Sequence, residues 1–482
     1  MKRLLSAITL TVASLASFSQ AQDSPEKRTK PNIVLFFIDD LGWADIGANG
    51  SKFHETPNID KLANNGVNLK NSYSAHAVCS PTRAALMSGK APQRVGITQW
   101  IHQPSHIHLK SEEFTIAEAF QSNGYTTGYI GKWHLGEKDE QLPTAQGYDW
   151  KKAVNRAGQP GSYFFPYIGR QNRGAFWNVP DLGDGKQGDY LTDALTDKAL
   201  TFIDENKDSP FFLTFAHYAV HTPIQAPKDL VEKYKAKKLE LFGDTKSPKS
   251  TQRYNTQNKD RQDNPTYAAM MESLDTNIGR ILTKLEQNNL LENTIIIITS
   301  DNGGLSHLRN PGVTSNRPLK SGKGWNYEGG IRVPHIISWK GIIQPAINDT
   351  PTITMDIYPT LLDLAGLELK PQQHLDGMSI KSTLFEDDQP SDKLKNRFLA
   401  WTYPHNHGSG HKPSHAIRKD GWKLIHFENG ETYELYNLND DIGESKNLAK
   451  EHPQKVKTLD ALLMQWIKDT TPIQPIFQKA KK

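Results

Sequence analysis

The sequence predicts an α/β fold with a large, mostly parallel sheet flanked by helices, followed by a smaller C-terminal α+β subdomain that contains an antiparallel sheet. Three observations lead to this prediction. Near-continuous apolar runs of strand length recur along the chain, as expected for strands buried on both faces. Amphipathic helical patterns alternate with these runs. After about residue 385, short hairpin-like segments replace this alternation.

Four apolar runs are predicted to be strands of the main sheet, and polar residues follow each of them. They are rich in β-branched and aromatic residues and span residues 32–38, 126–130, 210–216 and 294–299. Because the carboxyl ends of parallel strands meet at one edge of an open sheet, we expect a functional site at that edge.

Helices are predicted between the strands, at residues 114–121, 191–205, 267–287 and 358–364. Residues 151–190 and 235–265 are rich in Gly, Asn, Gln and Lys, and we expect long loops over the site there. In the C-terminal part, Asp420-Gly421 indicates a hairpin, residues 432–436 a short strand, and residues 453–468 a closing helix. We therefore divide the chain into a main domain, residues 31–385, and a subdomain, residues 386–482.

Residues 1–21 have the pattern of an export signal peptide. Lys2 and Arg3 give a positive start, residues 4–16 are apolar but too short to span a bilayer, and small residues near Ala21 suit cleavage. Residues 22–30 are polar, and we expect a flexible lead-in. No later segment is apolar enough for a transmembrane segment, so we expect an exported protein that is periplasmic or extracellular. The net charge of +4 is too weak to indicate a nucleic-acid partner.

Cys79, the single cysteine of the chain, is a candidate reactive group, because structural cysteines of exported proteins come in pairs. Ser80 is a suitable helix cap, and Pro81 suits the first turn of a helix. We therefore expect Cys79 at the positive end of a helix dipole, where negative charge is stabilised. The alternative is a buried cysteine that only fills space.

Oxygen-bearing side chains follow two of the predicted strands and form a candidate metal site. Asp39 and Asp40 come after the first strand, and Asp301 and Asn302 come after the fourth. Carboxylate and amide oxygens suit a hard cation such as Ca2+ or Mg2+ rather than Zn2+. The alternative is that these residues cap helices and form turns.

Cationic and histidine side chains lie in the same kind of position. The cationic candidates are Arg83, Lys132 and Lys323, the last in a glycine-flanked loop where the backbone can approach a ligand closely. The candidates for proton transfer are His134 and His221. Any one of them alone carries little weight, since lysines are usually solvated and the chain has 17 histidines.

Together these segments resemble the type I, formylglycine-dependent sulfatases of the alkaline-phosphatase-like superfamily. Residues 79–89, which begin Cys-Ser-Pro-Thr-Arg, resemble the first sulfatase signature, and residues 131–136, Gly-Lys-Trp-His-Leu-Gly, resemble the second. Further similar elements span residues 32–42, 210–223, 300–304 and 320–334. The resemblance covers roughly residues 31–450, with its motifs in the expected order.

The resemblance implies the chemistry of the reacting groups. Cys79 would be converted after translation to formylglycine, whose hydrated form supplies the nucleophilic oxygen. His134 would contact the formylglycine diol and help it release sulfate, and His221 would be the general acid at the leaving-group oxygen. The conversion requires a maturation partner, either a formylglycine-generating enzyme or an anaerobic sulfatase-maturing enzyme.

The resemblance also implies the ligands of one Ca2+ ion and of the sulfate group. The Ca2+ ligands would be Asp39, Asp40, Asp301, Asn302 and the modified Cys79. The positive charges on the sulfate would come from Arg83, Lys132 and Lys323.

An exported sulfatase with aromatic and polar loops suggests a sulfated oligo- or polysaccharide as substrate. Trp faces stack on sugar rings, and Arg or His can pair with sugar hydroxyls, carboxylates or further sulfates. The candidates for sugar contact are Trp100, His102, Trp177, Asn178, His307, Arg309, His405, His407 and Arg418. For the tryptophans the alternative is core packing, and for the histidines near residue 405 it is a solvated loop.

Two other functions remain open from the sequence. The first is a phosphomonoesterase, phosphodiesterase or phosphonate hydrolase of the same superfamily. We rank it second because a dianionic phosphate often requires a second metal, and one oxygen cluster is visible. The second is a non-catalytic protein that binds sulfated glycans, although no key position is altered.

Overall fold

The computed structural model describes residues 30–169, 175–307, 312–386, 388 and 390–471. The predicted export signal, most of the lead-in and Arg309 lie outside these residues. The strands are β1 (Asn32–Ile38), β2 (Val67–Leu69), β3 (Ser72–Tyr73), β4 (Thr126–Gly131), β5 (Trp150–Lys152), β6 (Phe211–His217), β7 (Lys249–Thr251), β8 (Gln257–Lys259), β9 (Thr294–Ser300), β10 (His335–Trp339), β11 (Ala346–Asn348), β12 (Thr352–Ile353), β13 (Leu399–Tyr403), β14 (Ser414–Lys419), β15 (Trp422–Phe427) and β16 (Thr432–Asn437).

The helices lie between and after these strands. They are α1 (Pro57–Asn64), α2 (Cys79–Ser88), α3 (Ile116–Gln121), α4 (Leu191–Glu205), α5 (Lys228–Phe242), α6 (Pro265–Gln287), α7 (Glu328–Ile331), α8 (Ile357–Leu364), α9 (Asp392–Lys395) and α10 (Pro453–Thr470). Within the described residues, no helix is both long and apolar enough to span a bilayer.

The main sheet is mostly parallel, as predicted. Its described strands have the order β11-β2-β10-β9-β1-β6-β4-β5. The run from β9 to β5 is parallel throughout, while β10 runs antiparallel to both β9 and β2. The polar residues that follow β1, β4, β6 and β9 therefore reach the same edge of the sheet.

Two apolar cores cover the two faces of the main sheet. Successive residues of a strand point to opposite faces, so β1 contributes to both cores. Leu35 packs on the side of α2, α3 and α8, and Phe36 packs on the side of α1, α4 and α6. This explains why the strand has no polar alternation: all seven of its residues are buried.

The C-terminal subdomain is an antiparallel sheet in the order β13-β14-β15-β16, with α10 on one face. Its hairpin turns at Asp420-Gly421, as predicted. The opposite face contributes Trp401, Tyr403 and Phe427 to a core shared with Tyr73 and Trp325 of the main domain. The boundary at residue 385 stays a prediction, and the antiparallel sheet begins at Leu399.

The predicted strands and helices agree with the structure to within two residues at each end. The predicted loop at residues 235–265 is wrong at its start, where α5 continues to Phe242. Helix α5 is rich in lysine and only Tyr234 in it is fully buried, so it lacks the apolar stripe that marks a helix in sequence. The predicted cap is also wrong: α2 begins at Cys79 with Val78 in the N-cap position.

Candidate active site

Two pairs of oxygen-bearing residues meet at the carboxyl ends of β1 and β9. These strands are parallel neighbours in register, so the residues after them are adjacent. The backbone N–H of Asp40 donates to Oδ1 of Asp301 at 3.2 Å, and Nδ2 of Asn302 donates to Oδ1 of Asp40 at 2.8 Å. Asp39 lies beside them, and all four side chains are buried.

Cys79 lies at the amino end of α2, next to His134, which follows β4. The Sγ of Cys79 is 3.2 Å from Nδ1 of His134. Nε2 of His134 is 2.8 Å from the carbonyl oxygen of Ile101, which can only accept a hydrogen bond, so Nε2 carries the proton and donates. Nδ1 is therefore free to accept a proton from residue 79.

Three buried cations each contact one of the carboxylates. Nζ of Lys132 is 2.7 Å from Oδ2 of Asp39, and Nζ of Lys323 is 2.5 Å from Oδ1 of Asp40. Nε and one terminal nitrogen of the Arg83 guanidinium lie 2.9 and 2.7 Å from Oδ2 of Asp301. The sequence-predicted cations thus converge on the sequence-predicted oxygen cluster.

The pKa values of the three carboxyl groups in the cluster are shifted in different directions. Burial raises the pKa of Asp39 well above its usual value, although the charge of Lys132 opposes this. Burial also disfavours the charged form of Asp40, but the charges of Lys323 and Lys132 and the hydrogen bond from Lys323 outweigh it and lower its pKa. For Asp301, the charge of Arg83 likewise outweighs burial and lowers the pKa. A further positive charge would favour ionisation of all three carboxyl groups.

The donor set fits a hard divalent cation. Oδ1 of Asp39 and Oδ1 of Asn302 are buried and have no hydrogen-bond partner. Such orphaned oxygens are costly unless a ligand satisfies them. Ligand atoms of Asp39, Asp40 and His221 also lie within 4.8 Å of one another. The sequence analysis expected His221 to be a general acid rather than a metal ligand. Ca2+ prefers oxygen ligands to an imidazole nitrogen, so the chemistry of the donors agrees with that expectation.

His221 faces the cluster from the segment after β6. Its Nδ1 donates to the carbonyl oxygen of Thr222 at 2.9 Å, and its Nε2 is 3.7 Å from Oδ2 of Asp40. Burial, together with the charge of Lys323, lowers the pKa of His221 to about 3, so the imidazole is neutral in the free site. A role as general acid therefore requires the negative charge of a bound ester to favour the protonated form.

A pocket of about 560 Å³ opens above these groups. Its floor is formed by Asp40, Cys79, His134, His221 and Lys323. Of the predicted sugar-contact residues, four line its walls: Trp100, His102, Trp177 and His407. Trp100 and His102 contact each other, with ring centroids 3.4 Å apart.

Four of the other candidates for sugar contact do not line this pocket. Oδ1 of Asn178 accepts from the backbone of Gly169, and Nε2 of His307 contacts the carbonyl of Lys323. Nε2 of His405 is 3.0 Å from Oγ1 of Thr98.

Arg418, on β14, is 7% exposed and stacks on the ring of Tyr73. Its charge helps to lower the pKa of the buried Glu328, so it belongs to a buried charge network rather than to a binding surface. Arg309 lies outside the described residues.

Five residues of the pocket wall were not identified from the sequence: Gln103, Gly158, Gln159, Phe176 and Leu305. Three of them lie in residues 151–190, which were predicted to be a loop over the site. Phe176 directly precedes the predicted Trp177, so a search of that loop for adjacent aromatic residues could have identified it. Gly158 lies so close to the His134 ring that a side chain there would displace the imidazole.

Comparison with known proteins identifies the family. The family model described as Sulfatase matches residues 31–367, and the model described as N-sulphoglucosamine sulphohydrolase, C-terminal, matches residues 321–470. A sulfatase of Formosa agariphila is 33% identical over 92% of this chain and 89% of its own length. The N-acetylgalactosamine-6-sulfatase of Mus musculus is 32% identical over 74% of this chain and 66% of its own length.

A solved structure agrees with these sequence relatives. The crystal structure of Ps i-CgsB in complex with k-i-k-neocarrahexaose is 30% identical, with a TM-score of 0.77, over 94% of this chain and 96% of that one. The chain belongs to the sulfatase family and has its alkaline-phosphatase-like fold. It is a sulfuric ester hydrolase.

Proposed function

We propose that this protein removes O-sulfate groups from a sulfated oligo- or polysaccharide, with a formylglycine made from Cys79 as nucleophile and one Ca2+ ion. The observation that carries the proposal is the position of Cys79. It forms part of the floor of a sugar-sized pocket, within reach of His134 and beside a cluster of carboxylates and buried cations.

The proposed roles follow from the charge that develops in sulfate transfer. Attack on a sulfate ester builds negative charge on the nonbridging oxygens and on the departing oxygen. Arg83, Lys132 and Lys323 would neutralise the nonbridging oxygens, and His221 would protonate the departing oxygen. Formylglycine supplies a geminal diol, so one hydroxyl can attack and the second can support release of the sulfate.

Asp39, Asp40, Asp301 and Asn302 would hold the metal ion. Ca2+ supplies positive charge that is fixed before the substrate arrives, which favours the anionic ester. Arg83, Lys132 and Lys323 contact these carboxylates in the free site and would serve the sulfate oxygens beside the ion. The orphaned oxygens of Asp39 and Asn302 support this assignment, because a cation would satisfy them.

The substrate class rests on the pocket and on the relatives. Trp100 and Trp177 provide aromatic faces of the type that stack on sugar rings. One relative is named for a sulfated amino sugar, and one solved relative was crystallised with an oligosaccharide. We also propose that the protein is exported by residues 1–21 and matured by a formylglycine-generating or anaerobic sulfatase-maturing enzyme.

The test is desulfation of a panel of defined sulfated oligosaccharides by matured protein, followed by chromatography and mass spectrometry. Parallel assays with an aryl sulfate and an aryl phosphate address the phosphatase alternative, and phosphate turnover that dominates by orders of magnitude would overturn the proposal. Binding of the glycans without desulfation by fully modified protein would instead favour a non-catalytic glycan-binding protein.

The nucleophile has its own test. We expect Cys79→Ser and unmodified Cys79 protein to bind substrate with little turnover, because neither side chain offers the second hydroxyl. Full activity in a preparation that mass spectrometry shows to be unmodified would contradict the formylglycine assignment.

A further inference from the structure

Ser80 follows the proposed nucleophile and has an unexpected partner. It was predicted to cap α2, but α2 begins at Cys79 with Val78 in the N-cap position, so Ser80 lies inside the first turn. Instead, Oγ of Ser80 accepts the backbone N–H of Ile101 at 3.1 Å. Both residues are buried, so water does not compete for this hydrogen bond.

The carbonyl group of the same residue, Ile101, binds His134. The carbonyl oxygen of Ile101 accepts the Nε2 proton of His134 at 2.8 Å, which leaves Nδ1 facing Cys79 at 3.2 Å. A chain of hydrogen bonds thus runs from Ser80 through the Ile101 backbone to His134 and returns to Cys79, the neighbour of Ser80 in α2. Because a carbonyl oxygen can only accept a hydrogen bond, this contact sets the tautomer of the His134 ring.

The segment around Ile101 also forms part of the pocket wall. Its neighbours Trp100 and His102 line the pocket, whereas the Ile101 side chain packs into the core. On the far side, the hydroxyl of Tyr403 in β13 donates to Gln99 at 2.8 Å. The segment from Gln99 to His102 therefore contacts α2 and β13 and lines the pocket.

We propose that Ser80 is a positioning residue that acts through Ile101 to hold Nδ1 of His134 toward residue 79 and thereby speeds release of sulfate. This inference rests on the proposed function. In the release step, Nδ1 takes the proton of the free hydroxyl on residue 79. The electron pair of that O–H bond forms the carbonyl of the aldehyde, and the bond from carbon to the sulfate oxygen breaks, with its electron pair leaving on the sulfate.

The kinetic test compares Ser80→Ala, Ser80→Thr and a matched control, Ser88→Ala. Ser88 is a buried serine of the same helix, and its Oγ donates to the Ala84 carbonyl rather than contacting Ile101. Rates are measured with an aryl sulfate and divided by the formylglycine content from mass spectrometry. We expect Ser80→Ala to lower kcat about 10-fold, less than the ~10²–10⁴-fold typical of losing an acid–base group.

The pattern of the loss separates positioning from general damage. If only release is slowed, kcat and KM fall together, kcat/KM stays within about twofold, and protein carrying one covalent sulfate accumulates. Ser80→Thr should restore most of kcat, and Ser88→Ala should match the wild type. A fall in kcat/KM with KM unchanged and no sulfated protein would overturn the proposal.

A second measurement does not require maturation or turnover. In unmodified Cys79 protein labelled with ¹⁵N-histidine, we expect His134 to show a slowly exchanging Nε2 proton, assigned with His134→Gln. Ser80→Ala should speed its exchange at least about 10-fold, while Ser80→Thr and Ser88→Ala should not. Unchanged exchange in Ser80→Ala would refute the positioning role, whereas failure of the proposed function would appear as wild-type protein without sulfatase activity.

Discussion

The two histidines of the site, His134 and His221, carry their protons on different ring nitrogens. His134 has its Nε2 proton committed to a backbone carbonyl and accepts at Nδ1, whereas His221 has its Nδ1 proton committed to Thr222 and presents Nε2 to the cluster. His134 is buried, the His221 side chain is 14% exposed, and both imidazoles are neutral in the free site because burial lowers their pKa. The two histidines therefore suit different steps: His134 as an acceptor beside residue 79, and His221 as a group that is protonated only when an anion binds.

The proposed acid role of His221 gives a prediction that depends on the leaving group. We expect His221→Gln to lower kcat/KM for a sugar sulfate by about 10²–10⁴-fold, because an alkoxide needs a proton to depart. An aryl sulfate with an acidic phenol needs little help, so its kcat/KM should fall by about 10-fold or less. Steady-state kinetics with both substrates check this.

The control for that experiment is His452→Gln, at an exposed histidine of the subdomain, which should leave both substrates unaffected. Equal losses on the two substrates in His221→Gln would show that the imidazole binds the sulfate or the metal rather than serving the leaving group.

The site residues that the sequence could predict are those that directly follow parallel strands. Asp39 and Asp301 follow two apolar runs, and a parallel sheet brings such ends together whatever the loops do. Arg418 shows the limit of this reasoning, since only the tertiary structure reveals that its charge is used in a buried network. Ser80 shows another limit, because a serine near a helix start suggests a cap although its partner lies in a distant loop.

At the level of whole elements, β1 and β9 are the frame of the proposed metal site. Each strand is fully buried and rigidly paired, so the residues that follow are held close despite their like charges. Sequence patterns predicted these strands because a doubly buried strand is a continuous apolar run. They did not identify β10, a short antiparallel strand, or α5, whose exposed lysines obscure its helical period.

This frame predicts that metal binding and folding stability are linked. We expect EDTA to lower the Tm of the protein by about 5–10 °C and excess Ca2+ to restore it, because a ligand that binds only the folded state stabilises it. Differential scanning calorimetry of unmodified protein measures this without any assay of activity. Asp301→Asn should have a Tm that no longer responds to Ca2+.

Mg2+ at the same concentration is the natural comparison, since it demands a smaller and more regular oxygen shell. A Tm that is indifferent to EDTA and to both ions would remove the support for a metal at this edge of the sheet.

For the molecule as a whole, the subdomain is joined to the main domain by buried charges as well as by apolar contacts. Nζ of Lys423, on β15, lies 2.9 Å from both Glu328, on α7, and Glu444. Glu328 also contacts Arg332 at 2.7 Å. Two carboxyl groups thus share one buried lysine, and the subdomain in turn supports the pocket through Tyr403 and His407.

This shared lysine makes the stability of the molecule depend on pH. Burial raises the pKa of Glu444 to about 7, aided by the negative charge of Glu328 and opposed by Lys423. A carboxyl group whose pKa is higher in the folded state stabilises the fold fully below its ordinary pKa of about 4.5, and this contribution is lost as the pH rises through about 7. Glu444→Gln keeps the shape of the side chain and cannot ionise, so it should escape that loss.

We therefore expect the free energy of unfolding of Glu444→Gln, relative to wild type, to rise by about 1–3 kcal/mol between pH 5 and pH 8. Urea unfolding of unmodified protein at a series of pH values measures this difference. Glu140→Gln, at an exposed position of the main domain, is the control and should follow the wild type at every pH. A difference between Glu444→Gln and wild type that does not change with pH would mean that Glu444 stays ionised against Lys423 at every pH of the series.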